Sequence, residues 1–142
     1  MNSGDGARSR AQRKFRVVAY LGMDRPNGKT DYAGYLVKKL INGEHELAGL
    51  ILHPSDPLMD LAKKHAIPCI AVPFELLQPV PRIKQSLASD GRFREFYAMW
   101  LSHIRSFDAD LGVSIWSAWV PPDLFSMPRH GFINYHPAPL PK

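Results

Sequence analysis

Residues 15–22 read Phe-Arg-Val-Val-Ala-Tyr-Leu-Gly, a short apolar run that ends at a glycine. Because apolar residues occupy successive positions, both faces of this segment have to be buried. A run of this length predicts a buried strand of a parallel sheet. Residues 23–30 follow with Pro26, Asn27 and Gly28, which mark a loop. Thr30 or Asp31 is placed to cap a helix after that loop.

Apolar runs alternate with helical patterns along the rest of the chain. Further strands are predicted at 47–52, 69–72, 111–116 and 133–136, and apolar residues recur at helical spacing within 32–41, 58–65 and 93–104. Residues 79–91 hold two prolines and a Ser89-Asp90-Gly91 turn, and their pattern favours no single element. The alternation predicts an α/β fold, a parallel sheet with helices on both faces and right-handed crossovers.

Composition indicates one globular domain behind a basic tail. The 142 residues are 45% hydrophobic and 22% charged, which is ordinary for a globular protein. Of the formal net charge of +5, residues 1–14 carry +3, since four basic residues there oppose one acidic residue. We therefore predict a flexible tail at 1–14 and a folded domain at 15–142. An organelle transit peptide or an RNA-contacting arm is the alternative for the tail.

The chain carries no sign of a membrane or oxidising environment. No apolar run approaches the roughly 20 residues that span a bilayer, and the start of the chain lacks the apolar segment of a secretory signal. Cys69 is the single cysteine, so it has no partner for an internal disulfide. These features predict a cytoplasmic protein without a membrane partner.

Common nucleotide and metal motifs are missing. Gly28-Lys29-Thr30 is similar to the end of a phosphate-binding loop, but Met23 stands where that motif needs a glycine. The Gly-x-Gly-x-x-Gly spacing of dinucleotide-binding folds is absent, and no two of the six histidines lie four residues apart. We predict no metal site. The helix start after the first loop could still hold an anionic group of a substrate.

The carboxyl segment carries the candidate chemistry. Asn134 and His136 are two residues apart on a predicted strand, so their side chains leave one face of it. In parallel sheets, ligands bind beyond the carboxyl ends of the strands, which directs attention to the loops after Leu21, Trp116 and His136. An amide can donate to a carbonyl oxygen that gains negative charge, and an imidazole can stabilise that charge or move a proton. A buried polar pair with a structural role is the alternative.

The segment 131–142, Gly-Phe-Ile-Asn-Tyr-His-Pro-Ala-Pro-Leu-Pro-Lys, resembles the signature of folate-dependent formyltransferases, Asn-x-His-Pro-Ser-Leu-Leu-Pro. Supporting matches are Asp110-Leu111 at a strand start, Val120-Pro121-Pro122 at its end, and Asp31-Tyr32-Ala33, which resembles the methionyl-tRNA branch. The resemblance implies a Rossmann-like sheet, with 10-formyltetrahydrofolate as donor and a primary amine as acceptor. An amino sugar or similar small amine is expected first and methionyl-tRNA second.

The resemblance also implies roles for individual residues. Asn134 would hold the formyl oxygen, and His136 would stabilise the tetrahedral intermediate. The pterin of the donor would lie against the segment from Trp116 to Val120, partly through backbone groups. Within this segment the residues expected to contact the donor are Trp116, Ala118, Trp119 and Val120.

Departures from the family pattern leave rival interpretations open. Ala138 and Pro139 replace the serine and the first leucine of the motif. The family's catalytic aspartate lies downstream of the motif, so the resemblance implies a sheet incomplete at its carboxyl end and a chain inactive alone. A non-catalytic interaction or regulatory protein is therefore the alternative function. A nucleotide-binding redox domain is a third class, which the missing glycine fingerprint disfavours. The oligomeric state is left open.

Overall fold

The computed structural model describes residues 14–21, 32–115 and 120–135. Within these ranges five strands form one sheet: β1 (Arg16–Leu21), β2 (Glu46–Leu52), β3 (Cys69–Ala71), β4 (Leu111–Ile115) and β5 (Phe132–Tyr135). The helices are α1 (Tyr32–Asn42), α2 (Leu58–Lys64), α3 (Val80–Ser89), α4 (Gly91–Arg105) and α5 (Pro122–Phe125), with a 3-10 turn at Phe74–Leu76. The helix cap predicted at Thr30 or Asp31 lies outside the described residues.

All strand pairs are parallel, and the strand order is β3-β2-β1-β4-β5. The predicted parallel α/β sheet is confirmed. The chain builds outward from β1 to β3 on one side and then returns to the other side of β1 with β4. The switch point between β1 and β4 is where open α/β sheets usually bind ligands. Because β1, β4 and β5 are neighbours, the three loops singled out in the sequence leave the same stretch of the sheet edge.

Each face of the sheet carries its own apolar core. The α4-side core includes Val18, Tyr20, Ile51, Ile83, Trp100, Ile104 and Leu124, all buried. The α1-side core includes Ala19, Leu21, Val37, Leu50, Leu52 and Ala62, all buried. Residues 18–21 of β1 therefore enter the two cores in turn, which explains why that strand is apolar from Val17 to Leu21.

The stretch 79–91 forms α3 and the corner that leads into α4. Pro81 lies in the first turn of α3, where its missing N–H costs no helical hydrogen bond. Asp90 ends α3 and caps α4, with its carboxylate accepting from the backbone N–H groups of Arg92 at 3.0 Å and Phe93 at 3.3 Å. The turn expected at Ser89-Asp90-Gly91 is thus a helix-helix corner.

Two glycines let aromatic rings approach the sheet. A Cβ atom at Gly49 would lie 2.5 Å from Cδ2 of Phe107, and one at Gly112 would lie 2.4 Å from Cε2 of Phe132. Since nonbonded carbon atoms prefer separations of about 3.5–4.0 Å, neither position has room for a side chain. Phe132 also stacks on Phe125, with ring centroids 5.9 Å apart, which ties β5 to α5.

Coverage of the sheet is uneven across its width. Helices flank both faces at β1 and β2, as predicted, but Ile133 and Tyr135 on β5 are 56% and 38% exposed. Phe132 enters the α4-side core, so by alternation Ile133 and Tyr135 project from the opposite face. In the described ranges, no helix has the length and apolar character that crossing a bilayer requires.

Candidate active site at the carboxyl edge of the sheet

A row of three residues crosses the sheet one position before the described strands end. Tyr20 of β1 is in register with Ser114 of β4, and Ser114 is in register with Asn134 of β5. All three lie on the face that α4 covers, because Tyr20 belongs to the α4-side core and register partners share a face. The predicted site residue Asn134 is therefore in line with two residues of the strands that border the switch point.

Asn134 is exposed, whereas its neighbour Ser114 is buried. The Ser114 hydroxyl donates a hydrogen bond to Oδ1 of Asn134, with an Oγ–Oδ1 distance of 3.1 Å. The amide oxygen is thus engaged towards β4, and the two N–H donors lie on the other branch of the amide group. An exposed amide at a strand end can donate to a ligand oxygen above the sheet.

Two phenols lie in the α4-side core near this row. Burial raises the pKa of Tyr20 to about 12. Burial, followed by a hydrogen bond to Asp123, also raises the pKa of Tyr97. Both phenols are therefore neutral near pH 7, and neither adds a negative charge or a base to the site.

Tyr97 also anchors the chain that follows β4. Its hydroxyl donates to Oδ2 of Asp123 at 3.0 Å, across from α4 to α5. Pro121, just before α5, is fully buried, and Val120 is half-buried against the α4-side core. Of the four residues predicted to contact the donor, Val120 alone lies in the described residues, and its side chain packs inward.

The other predicted site residues lie outside the described ranges. These are His136, Trp116, Ala118 and Trp119. The structure fixes the ends from which they extend: β5 ends at Tyr135, the residue before His136, and β4 ends at Ile115, the residue before Trp116. These two ends are register partners on adjacent strands. The prediction that Asn134 and His136 share one face stays a prediction.

Titratable groups elsewhere offer no competing centre within the described part of the chain. No three His, Cys, Asp or Glu residues there are grouped so that they could hold a metal ion. His45, His65 and His103 are exposed. Cys69 is half-buried, and burial raises the pKa of its thiol, which disfavours the reactive thiolate.

A cavity of about 180 Å³ lies away from this row, near the amino ends of β4 and β5. Ile104 and Arg105 at the end of α4 line it, together with residues 108–109 and 127–129. Arg129 at its rim is ion-paired with Asp108 at 3.4 Å. Parallel sheets bind ligands at the opposite edge, so the exposed Asn134 defines the candidate site better than this cavity does.

Sequence reasoning did not single out Ser114, Tyr97 or Asp123. A signal for Ser114 was present, because it is the one hydroxyl residue in the otherwise apolar run 111–116. Tyr97 and Asp123 are 26 residues apart, and only the packing of α4 on α5 brings them together.

The backbone is similar to the crystal structure of glycinamide ribonucleotide transformylase 1 from Geobacillus kaustophilus, with a TM-score of 0.59 and 15% sequence identity. The match covers 90% of this chain and 61% of that chain, so this chain spans about three fifths of the transformylase. No protein-family profile matches the chain, and no curated protein matches its sequence. The chain thus has a Rossmann-like α/β fold that it shares with this transformylase.

Proposed function

We propose that this chain is a formyltransferase domain that moves a formyl group from 10-formyltetrahydrofolate to a primary amine. The observation that carries the proposal is the position of Asn134. Its exposed amide stands near the carboxyl end of β5, the strand beside β4, and belongs to the Asn-x-His-Pro motif. The fold shared with a transformylase supports the same function.

The proposed chemistry is an acyl transfer at the end of β5. The amine nitrogen forms a bond to the formyl carbon, the bond from that carbon to the folate nitrogen breaks, and the departing nitrogen gains one proton for the one that the amine loses. Asn134 donates an N–H to the formyl oxygen as it gains negative charge, and His136 stabilises the same charge. Removing one such donor typically lowers kcat about 10²–10³-fold.

The donor is proposed to lie along the segment that joins β4 to α5. Its residues Trp116, Ala118 and Trp119 would contact the pterin, with Val120 contributing its backbone. The downstream end of the segment is held by buried Pro121 and by the Tyr97–Asp123 hydrogen bond. A firmly held end reduces the conformational entropy that the segment loses when the folate binds.

The acceptor is proposed to be an amino sugar or a similar small amine. The tail aside, the domain carries a net charge of only +2. Neutralising many phosphates of a nucleic acid requires a strongly basic surface, so methionyl-tRNA is the second choice. Formyl transfer to tRNA would weaken steeply as salt rises, whereas transfer to a small amine would not.

The test separates folate binding from formyl transfer, because the chain spans 61% of the transformylase and binding and turnover need not reside together. Calorimetry would measure the affinity of the wild-type chain, Asn134→Ala and His136→Ala for a stable 10-formyl folate analogue. Radiolabelled formyl transfer to a panel of amines would be followed in parallel. Matched controls are Asn42→Ala and His103→Ala, which replace exposed residues on α1 and α4.

We expect the wild-type chain and both controls to bind the analogue equally well. Asn134→Ala should weaken binding several-fold, since it removes one hydrogen bond, worth about 0.5–1.5 kcal/mol. Transfer, where it occurs, should fall about 100-fold or more in both site variants. A wild-type chain that does not bind the analogue would refute the proposal.

The second candidate is a formyltransferase-like protein that mediates an interaction without chemistry. The exposure of Ile133 and Tyr135 on β5 favours it, since apolar residues on an edge strand can be covered by another chain. Under this function the chain would form a dimer at micromolar concentration and would not bind the folate. Sedimentation equilibrium of wild type and Ile133→Lys measures the difference.

A further inference from the structure

Ser114 is a buried hydroxyl in an apolar strand. It is 2% exposed, and its neighbours along β4 are Val113 and Ile115. Burying a hydroxyl is unfavourable unless it forms hydrogen bonds. Alanine has a similar size and carries no hydroxyl to bury. A serine at this position therefore points to a use for its hydroxyl.

The hydroxyl contacts the group that the proposed reaction needs. Ser114 and Asn134 are register partners on adjacent strands, and Oγ donates to Oδ1 at 3.1 Å. An asparagine amide has an acceptor on one branch and two donors on the other. Rotating the amide group by roughly 180° about its last side-chain bond exchanges the oxygen and the NH₂ group with little change in shape. In the structure the hydroxyl of Ser114 is the donor and Oδ1 the acceptor, so the bond is made in the orientation that turns Oδ1 towards β4.

We propose that Ser114 is a positioning residue that selects the orientation of the Asn134 amide. By holding Oδ1 towards β4, it directs the N–H donors to the open end of the strands. This inference rests on the proposed function, because the formyl oxygen is the group that those donors would bind. In the reversed orientation the amide oxygen would meet the formyl oxygen, and two acceptors form no hydrogen bond.

The first test measures selectivity for the formyl group and does not depend on turnover. Affinities would be determined for a stable 10-formyl folate analogue and for the same analogue without the formyl group. Asn134→Ala should abolish the preference for the formylated analogue. Ser114→Ala should reduce that preference by roughly 2- to 13-fold, the range that a typical hydrogen bond spans. Affinity for the unformylated analogue should stay unchanged in both.

The double variant separates positioning from packing. If Ser114 acts through the amide, Ser114→Ala should have no further effect on selectivity in the Asn134→Ala background. Ser114→Thr, which keeps the hydroxyl, should retain wild-type selectivity. Ser126→Ala is the matched control, because Ser126 is an exposed serine whose hydroxyl donates to a backbone oxygen in α5.

The second test observes the amide directly. In ¹⁵N NMR spectra, Ser114→Ala should shift the side-chain NH₂ signals of Asn134 and leave those of Asn42 in place. Ser114→Thr should restore the Asn134 signals. Preserved backbone signals of β4 and β5 would show that the strands remain intact.

The outcomes distinguish this inference from the proposed function. Unchanged Asn134 signals and unchanged selectivity in Ser114→Ala would overturn the positioning role, even if Asn134→Ala abolishes formyl selectivity. If the wild-type chain binds no folate, the proposed function is refuted. If Ser114→Ala nevertheless shifts the Asn134 signals, the control of the amide by Ser114 is supported. Reduced selectivity together with shifted signals would support both.

Discussion

The close approach of Phe132 to Gly112 predicts that Gly112→Ala displaces β5. The new Cβ atom would lie 2.4 Å from Cε2 and 2.5 Å from Cδ2 of the Phe132 ring. Carbon atoms in contact are about 3.5 Å apart, so the ring has to withdraw by about 1 Å. The same ring stacks on Phe125 at a centroid distance of 5.9 Å, so its withdrawal also disturbs that contact.

The expected destabilisation follows from two opposing terms. Inserting a methyl group into a packed position costs about 1–3 kcal/mol. Replacing glycine by alanine also reduces the entropy of the unfolded chain, which stabilises the fold by about 0.4–1 kcal/mol. The net loss in the free energy of unfolding should therefore be roughly 1–2 kcal/mol.

Urea unfolding monitored by circular dichroism measures this loss. In a Phe132→Ala background the ring is absent, so adding Gly112→Ala should be neutral or slightly stabilising. Gly91→Ala is the matched control, because its Cβ would meet only a flexible arginine nitrogen of Arg94 at 3.7 Å. The reasoning would be refuted by a Gly112→Ala chain as stable as wild type, or by an equal cost with and without the Phe132 ring.

Further predictions concern the phenols and the helix corner. Because burial raises the pKa of Tyr20 from 10.0 to about 12, the contribution of Tyr20 to stability should be fully present below pH 10 and fall by up to about 1.4 kcal/mol per pH unit from there to pH 12. Tyr20→Phe should flatten that fall in urea unfolding at alkaline pH, whereas exposed Tyr35→Phe should not. Tyr97→Phe removes the hydrogen bond to Asp123 and should cost about 0.5–1.5 kcal/mol in chemical denaturation at neutral pH. Asp90→Ala removes the cap of α4 and should lower thermal stability by about 0.5–2 kcal/mol, and Asp90→Asn should recover most of it.

Strands were predictable where a local pattern determines burial. The runs beginning at Phe15 and Leu47 are apolar on both faces, and β1 and β2 lie at the centre of the sheet between the two cores. The strand order was not predictable, because it depends on which strands meet after the crossovers. Residues 79–91 combine helix-compatible prolines with a helix-capping aspartate, and only the structure shows that one helix ends at Asp90, which is extended, and the next begins directly after it.

The candidate site was predictable to the extent that a local motif contains it. Asn134 was found by its spacing from His136 and lies at a strand end as expected. Its partner Ser114 is 20 residues away in sequence, and the parallel register of β4 with β5 brings the two together. Hydrogen bonds between distant residues depend on register, which no local pattern contains.

The pairing of β1 with β4 has a consequence for synthesis on the ribosome. Arg16 and Asp110, which are hydrogen-bonded at the start of this pair, are 94 residues apart. At a synthesis rate of about 5–20 residues per second, roughly 5–20 s pass between the synthesis of β1 and that of β4, the strand that covers its second edge. During this interval β1, β2 and β3 can assemble with α1 and α2, while the α4-facing side of β1 lacks its helix. Nascent chains in which Leu111 is still inside the ribosome should therefore bind chaperones more strongly than chains in which Tyr135 has left it, since completing the strand pair buries that edge.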